Sequence, residues 1–196
     1  MNCRMSVEAG RSPPTPAAGG ASRKPPPAVH PAALSPSQLQ EFCRFRRTRR
    51  SGPGGQHRNK VETAVVVTHL PSGVKAEASE RRSPAQNHRQ ALFRLRINLA
   101  LEVRRVPQEA EIPSLKWRSR CPARRIRINP QHEDFPALLA ESLDVLTACQ
   151  MDVKQAAGAL QTTSSQLTKF LGLEPRALAL VNTYRQRIGL RALESS

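Results

Sequence analysis

One stretch, VETAVVVTHLPSGVKAEA at residues 61 to 78, narrows the possible folds more than any other. Val61 to Thr68 is β-branched and apolar, Leu-Pro-Ser-Gly at 70 to 73 supplies turn chemistry, and Val74 to Ala78 resumes the run, which predicts an antiparallel hairpin. Directly after it the period changes. Ser83-Pro84 reads as an N-cap and a first helical residue, and Ala91, Leu92, Leu95, Leu99 and Val103 recur at spacings of three and four, on one face of a helix over about 84–105. A hairpin followed by such a helix gives an α+β fold: a small antiparallel β-sheet with a long helix packed on it.

The rest of the 196 residues divides around that unit. Residues 1–34 are dominated by Pro, Ala, Gly and Ser without an apolar period, so a disordered arm is expected there. Order is expected from Ser35, where Ser-Pro-Ser-Gln reads as a capping box, followed by an extended Arg-rich run to Arg50. Residues 35–106 form the α+β module. Residues 107–130 make a connector with four prolines, one tryptophan and the cations Lys116, Arg118, Arg120, Arg124, Arg125 and Arg127. Residues 131–196 carry helix-period apolar residues punctuated by Gly158, Gly172 and Pro175, and form a small all-helical accessory module. Within it, Val153, Ala156, Ala157, Leu160, Leu167 and Leu171 fit a helix-turn-helix, with Gln166, Thr168 and Lys169 expected on the outer face of its second helix. An aromatic content of 4% also favours two small modules over one large core.

Charge is placed unevenly. The formal net charge is +16, yet residues 130–196 hold six basic and seven acidic side chains, so the preceding part carries +17. That balance points to a polyanionic partner, bound mostly by the first two thirds. The four cysteines form no CxxC pair and have no histidine at zinc-finger spacing, so neither a metal nor a cofactor is expected, and the thiols fit a reducing compartment. No stretch approaches the roughly 20 apolar residues of a membrane span, and no apolar signal segment opens the chain. A mitochondrial presequence would need an amphipathic helix that the prolines between 13 and 31 would break. A cytoplasmic monomer without membrane contact is the expectation.

The densest chemistry lies in RRTRRSGPGGQHRNK, residues 46–60. Gly54 and Gly55 lack Cβ atoms, reach positive φ freely and let main-chain N–H groups approach a ligand closely. Gln56 is an amide with no usable pKa near neutrality, so it hydrogen-bonds or positions and does not act as a general base. Arg44, Arg46, Arg47, Arg49, Arg50, Arg58 and Lys60 give seven cations in residues 42–60 without an acid, a density suited to phosphate backbones. A mononucleotide loop is a poor fit, because Val61, not Ser or Thr, follows Lys60. From spacing alone two readings stand: a glycine turn on an RNA-binding surface, and a loop that presents a main-chain donor to an oxyanion.

From about Cys43 to Arg105 the sequence resembles the GGQ-domain proteins, meaning class I peptide chain release factors and their shorter ribosome-rescue relatives. RSGPGGQHRNK (50–60) is similar to the family's signature loop, TAVVVTHLPSGV (63–74) to its following hairpin, and SERRSPAQNHRQAL (79–92) to the entry of its long helix. The resemblance implies hydrolysis of the peptidyl-tRNA ester on the large ribosomal subunit. It makes Gln56 the catalytic-loop glutamine, with Gly54 and Gly55 permitting the loop conformation, and it implies ribosomal RNA and peptidyl-tRNA as partners. In many members the glutamine is N5-methylated, so a glutamine methyltransferase is a further implied partner. RNA contacts are expected from Arg47, Arg49, Arg50, His57, Arg58, Asn59, Lys60, Arg81 and Arg82.

Stop-codon-reading members carry a recognition tripeptide in an additional β-rich domain, and too few residues precede Cys43 here to build one. Codon-independent rescue of stalled ribosomes is therefore the expected mode. GLRALESS at the end does not resemble the basic tail usual in short rescue factors, which leaves the basic connector as the candidate for that task. The alternatives are a non-catalytic ribosome- or RNA-binding protein, and a nucleic-acid-binding regulator built on the helix-turn-helix.

Overall fold

The computed structural model describes residues 29–48, 64–107 and 112–194. Strands β1 (Cys43–Thr48), β2 (Ala64–His69) and β3 (Lys75–Ala78) pair antiparallel in that spatial order. The register sets Thr48 opposite Ala64 and Cys43 opposite His69, and on the other side Val65 opposite Ala78. In the central strand Val65 and Val67 are buried while Val66 and Thr68 are half-buried, so one face of the sheet is covered more deeply than the other. The β2–β3 turn is closed by Gly73 N–H donating to the His69 carbonyl at 2.8 Å, with Gly73 at φ +74°, a value that costs glycine little.

Helix α1 (Pro36–Gln40) begins with the capping box read from Ser35 and Gln38. Helix α2 (Pro84–Glu102) lies on the sheet with Ala91, Leu92, Leu95 and Leu99 buried, the stripe predicted from spacing. It ends three residues before the expected 105. Val103 is extended there, its carbonyl accepting from His30 Nε2 at 3.2 Å, and Arg105 N–H donates to Asp144 Oδ1 at 3.0 Å. Tertiary bonds take over the backbone where the helical ladder would have continued.

Packed structure also begins before the expected Ser35. Pro31–Ala33 makes a 3₁₀ turn in which Ala32 is fully buried, and the Ala32 carbonyl accepts from Arg96 Nε at 3.0 Å. Arg96 itself is 2% exposed, and its Nη1 donates to the Glu133 carbonyl at 2.9 Å. So short an anchor has no periodicity to read, and composition alone assigned it to the arm.

The C-terminal half is helical: α4 (Phe135–Ala148), α5 (Val153–Ala159), α6 (Ser164–Gly172) and α7 (Pro175–Arg187) follow the helical period read from residues 131–196, whereas α3 (Leu115–Arg120) forms within the stretch read as a connector. Ser114, Asp152, Thr163 and Glu174 cap α3, α5, α6 and α7 by accepting from main-chain N–H groups. Helix α4 is buried nearly all round, with Leu138, Leu139, Leu143 and Leu146 at 2% exposure or less, and it packs against α2. The apolar cluster runs without a break from Val65 and Leu95 through Leu139 to Phe170.

Trp117 joins the connector to that cluster. Its Nε1 donates to the Leu160 carbonyl at 2.8 Å, and its ring meets Phe170 edge-on at 5.8 Å. Helices α5 and α6 form a pair joined at residues 160–163, with Leu160 and Leu167 fully buried. Its second helix differs from expectation: Thr168 is buried, and Gln166 Oε1 accepts from Ile126 N–H at 3.3 Å, so the connector occupies part of the face expected to point outward.

Candidate catalytic loop and its frame

Gly54, Gly55, Gln56, Arg49, Arg50, His57, Arg58, Asn59 and Lys60 lie outside the described residues. What the structure fixes is the frame that holds both ends of their segment. Thr48 and Ala64 are register partners at the ends of β1 and β2, so residues 49–63 leave and return at one point of the sheet. Fifteen residues is long for a connection between adjacent antiparallel strands, where two to five are usual, and segments of that length are commonly functional.

The frame is cationic on the strand that enters the segment. Arg44, Arg46 and Arg47 are exposed on β1, an edge strand, with Arg47 opposite Val65 in the register. Alternation sends Arg44 and Arg46 to one face, while Phe45 on the other stacks on His88 of α2 at 4.3 Å between ring centroids. The stack fixes β1 against the helix. Cys43, beside it, is half-buried, and burial pushes its thiol up to about 11, which leaves it protonated at neutral pH.

Arg81 and Arg82 sit between β3 and α2 and are both exposed. Arg81 is held by its main chain: Asn87, fully buried in the first turns of α2, accepts from Arg81 N–H at 2.9 Å and donates to the Arg81 carbonyl at 2.8 Å. Arg94 adds a second fastening, donating to the Glu77 carbonyl at 2.8 Å and to Glu80 at 2.6 Å. A surface cleft of about 680 Å³ runs beside this turn, lined in part by Gln40, Arg81, His88, Arg89 and Phe93. The sequence signal for Asn87 is a polar residue four positions before Ala91, in line with the Ala91–Leu95 stripe and shortly after an Arg pair.

Arg47, Arg81 and Arg82 are thus the only proposed RNA contacts among the described residues, and they emerge from β1 and the turn before α2. Among the described residues, no three His, Cys, Asp or Glu side chains gather as a metal-binding set, and Cys43, Cys121 and Cys149 are free thiols. No helix among them is long and apolar enough to cross a membrane.

A small antiparallel sheet backed by one long helix, with a long cationic, glycine-bearing connection between its first two strands, is the class of domain that these residues define. Residues 38–133 match the RF-1 domain model. That stretch, just under half of the chain, is the GGQ-containing domain of class I release factors. It is 43% identical over 68 residues to peptide chain release factor 1 of Chloroherpeton thalassium, covering 35% of this chain and 19% of the relative. Against the same-named protein of Chlorobaculum tepidum the identity is 51% over 51 residues, covering 26% and 14%. Against the chloroplastic peptide chain release factor PrfB1 of Arabidopsis thaliana it is 52% over 52 residues, covering 26% and 11%. The chain therefore spans between about a tenth and a fifth of the length of these curated relatives.

Proposed function

We propose that this protein hydrolyses the ester of peptidyl-tRNA on the ribosome and releases the nascent chain, without reading a codon. The observation that carries the reading is a GGQ sequence at the centre of a fifteen-residue connection whose two ends are fastened at the Thr48–Ala64 pair of a release-factor-type domain. Gly54 and Gly55 allow the backbone to turn so that the Gln56 N–H donates to the developing oxyanion. The Gln56 side chain, which does not titrate, orients the attacking water. Ribosomal RNA and the substrate supply the rest of the site, so the chain contributes a donor and the charge that docks it, with no metal or cofactor.

Arg47, Arg49, Arg50, His57, Arg58, Asn59, Lys60, Arg81 and Arg82 contact large-subunit RNA in this reading. Residues 35–106 are the catalytic part, 107–130 the connector and 131–196 an accessory part, and the protein works as a cytoplasmic monomer. N5-methylation of Gln56 by a glutamine methyltransferase belongs to the same proposal.

The test is peptide release from purified ribosomes carrying peptidyl-tRNA, with empty, sense, stop and truncated-message A sites. Release on the truncated message at least equal to that on the stop codon is expected. Gln56→Ala is expected to lower the rate by about 10²–10³-fold, the usual effect of losing an oxyanion donor. No release by the wild type on any complex would instead leave a non-catalytic RNA-binding protein.

A further inference from the structure

We propose that residues 122–129, folded across the α5–α6 corner, form a fixed docking ridge for the phosphate backbone of double-helical RNA, separate from the 49–63 segment. The sequence there, PARRIRIN, alternates. Arg125, Arg127 and Asn129 are exposed, whereas Ile126 and Ile128 are half-buried and pack against the apolar cluster. Alternation in an extended chain sends Arg125 and Arg127 to the same outward side, roughly 7 Å apart along the strand direction.

The main chain beneath them is held from both sides. Arg127 N–H donates to the Arg120 carbonyl at 2.8 Å and closes the loop on α3. Arg124 Nη2 donates to the Thr162 carbonyl at 2.9 Å, Thr162 Oγ1 returns a bond to the Arg124 carbonyl at 3.0 Å, and Ile126 N–H donates to Gln166 Oε1. Ala123 and Arg124 take φ of 49° and 64°, a left-handed turn that non-glycine residues adopt seldom and here only because these bonds impose it. The cations are carried on a held surface, so little conformational freedom is lost when they meet a ligand.

Their charge is also unspent. Asp134 takes Arg120 at 2.9 Å and Lys116 at 4.0 Å, Asp144 takes Arg104, and Glu174 takes Arg176. Among the described residues no carboxylate pairs with Arg124, Arg125 or Arg127. Residues 112–130 contain six cations and no acid, and Asp134 is taken up by Arg120 and Lys116 rather than by the ridge.

Two features favour a nucleic-acid duplex over a membrane, a protein partner or a single strand, and the match to the RF-1 domain over these residues selects RNA as that duplex. No large apolar side chain is exposed between 122 and 129, which removes the anchor that a membrane surface or a protein partner would use. The connector's one aromatic residue, Trp117, is 1% exposed, so no base can stack there and a single strand gains nothing beyond its phosphates. Groove reading by α6 is disfavoured as well, because Gln166 bonds to the connector and Thr168 is buried, which leaves Lys169 alone of the three exposed.

This inference does not depend on the hydrolytic reading and is tested without it. Fluorescence anisotropy of a labelled RNA duplex of about 16 base pairs, titrated with the full chain between about 50 and 200 mM KCl, gives the slope of log K against log salt. Arg125→Gln/Arg127→Gln is expected to make the slope shallower by about 1.8, roughly 0.9 for each phosphate no longer neutralised. Each single variant should remove about half of that, which reads the effect even if the double variant melts early. Lys154→Gln/Arg187→Gln, exposed cations elsewhere, should leave the slope as in the wild type. Cations of the 49–60 segment add the same background to every variant. An unchanged slope in Arg125→Gln/Arg127→Gln would overturn the proposal, as would loss of binding to single-stranded RNA or to anionic vesicles with duplex binding intact.

Discussion

His30, Asn87 and Arg96 show how single polar groups fasten this molecule, because each is buried and each has its bonds made. His30 accepts from Ala32 N–H through Nδ1 at 3.1 Å and donates through Nε2 to the Val103 carbonyl, roles that together require the neutral ring. Burial, opposed by the Val103 bond and aided by Arg104 and Arg105, lowers its pKa from 6.5 to about 4. Between those values the unfolded chain binds the proton and the folded one does not, so the His30 contribution is complete above pH 6.5 and is lost as pH falls toward 4. Asp144 works against it: burial raises its pKa to about 6, so its contribution is lost as pH rises through that value. The difference in urea stability between wild type and His30→Gln should therefore shrink by up to about 3 kcal/mol on going from pH 7 to pH 4. Asn87→Ala leaves both main-chain groups of Arg81 without their partner and should cost about 1–3 kcal/mol in the same measurement. If Arg81 contacts RNA, that variant should also weaken ribosome binding, while Asn98→Ala, half-buried further along α2 and bonded to the Lys75 carbonyl and to Arg176, should not.

At the scale of elements, the connector is the part whose role changes most once its packing is known. Trp117→Phe keeps an edge-on ring against Phe170 but orphans the buried Leu160 carbonyl. A loss of about 1–3 kcal/mol is expected by thermal or urea melting followed by circular dichroism. The hairpin and α2 were legible in the sequence because their signals are local: β-branched runs around Pro-Ser-Gly, then spacings of three and four after Ser-Pro. The α5–α6 corner was legible for the same reason. What the sequence hid depends on distant partners. Pro31–Ala33 is ordered by Arg96 from α2, helix α2 stops where His30 and Asp144 take its backbone, and Gln166 turns inward because Ile126 reaches it. The candidate site divides similarly. Its loop was read from motif and charge, whereas Asn87, which shapes the adjacent Arg81 turn, shows in the sequence only as a polar residue at the spacing of the apolar stripe.

Taken as a whole, the molecule has one apolar cluster where composition suggested two. With few aromatic residues, size is reached through leucine and alanine packing, with α2 covered by the sheet on one side and by α4 on another. A chain ending at Pro130 would expose that face of α2 and remove the Glu133 carbonyl from Arg96. It is expected to lose cooperative melting and protection of α2 amides from hydrogen exchange, and a folded 1–130 fragment would contradict the single-core picture. Roles of the C-terminal half are therefore better sought with surface variants than by truncation. The Thr48–Ala64 pairing sets one last condition. Gln56 stands eight residues from each partner, and eight residues of fully stretched chain cover roughly 28 Å at most. Whatever bond that amide serves must lie inside a sphere of this radius centred on the sheet's end, and every other grip the protein takes on its target has to bring the sphere to it.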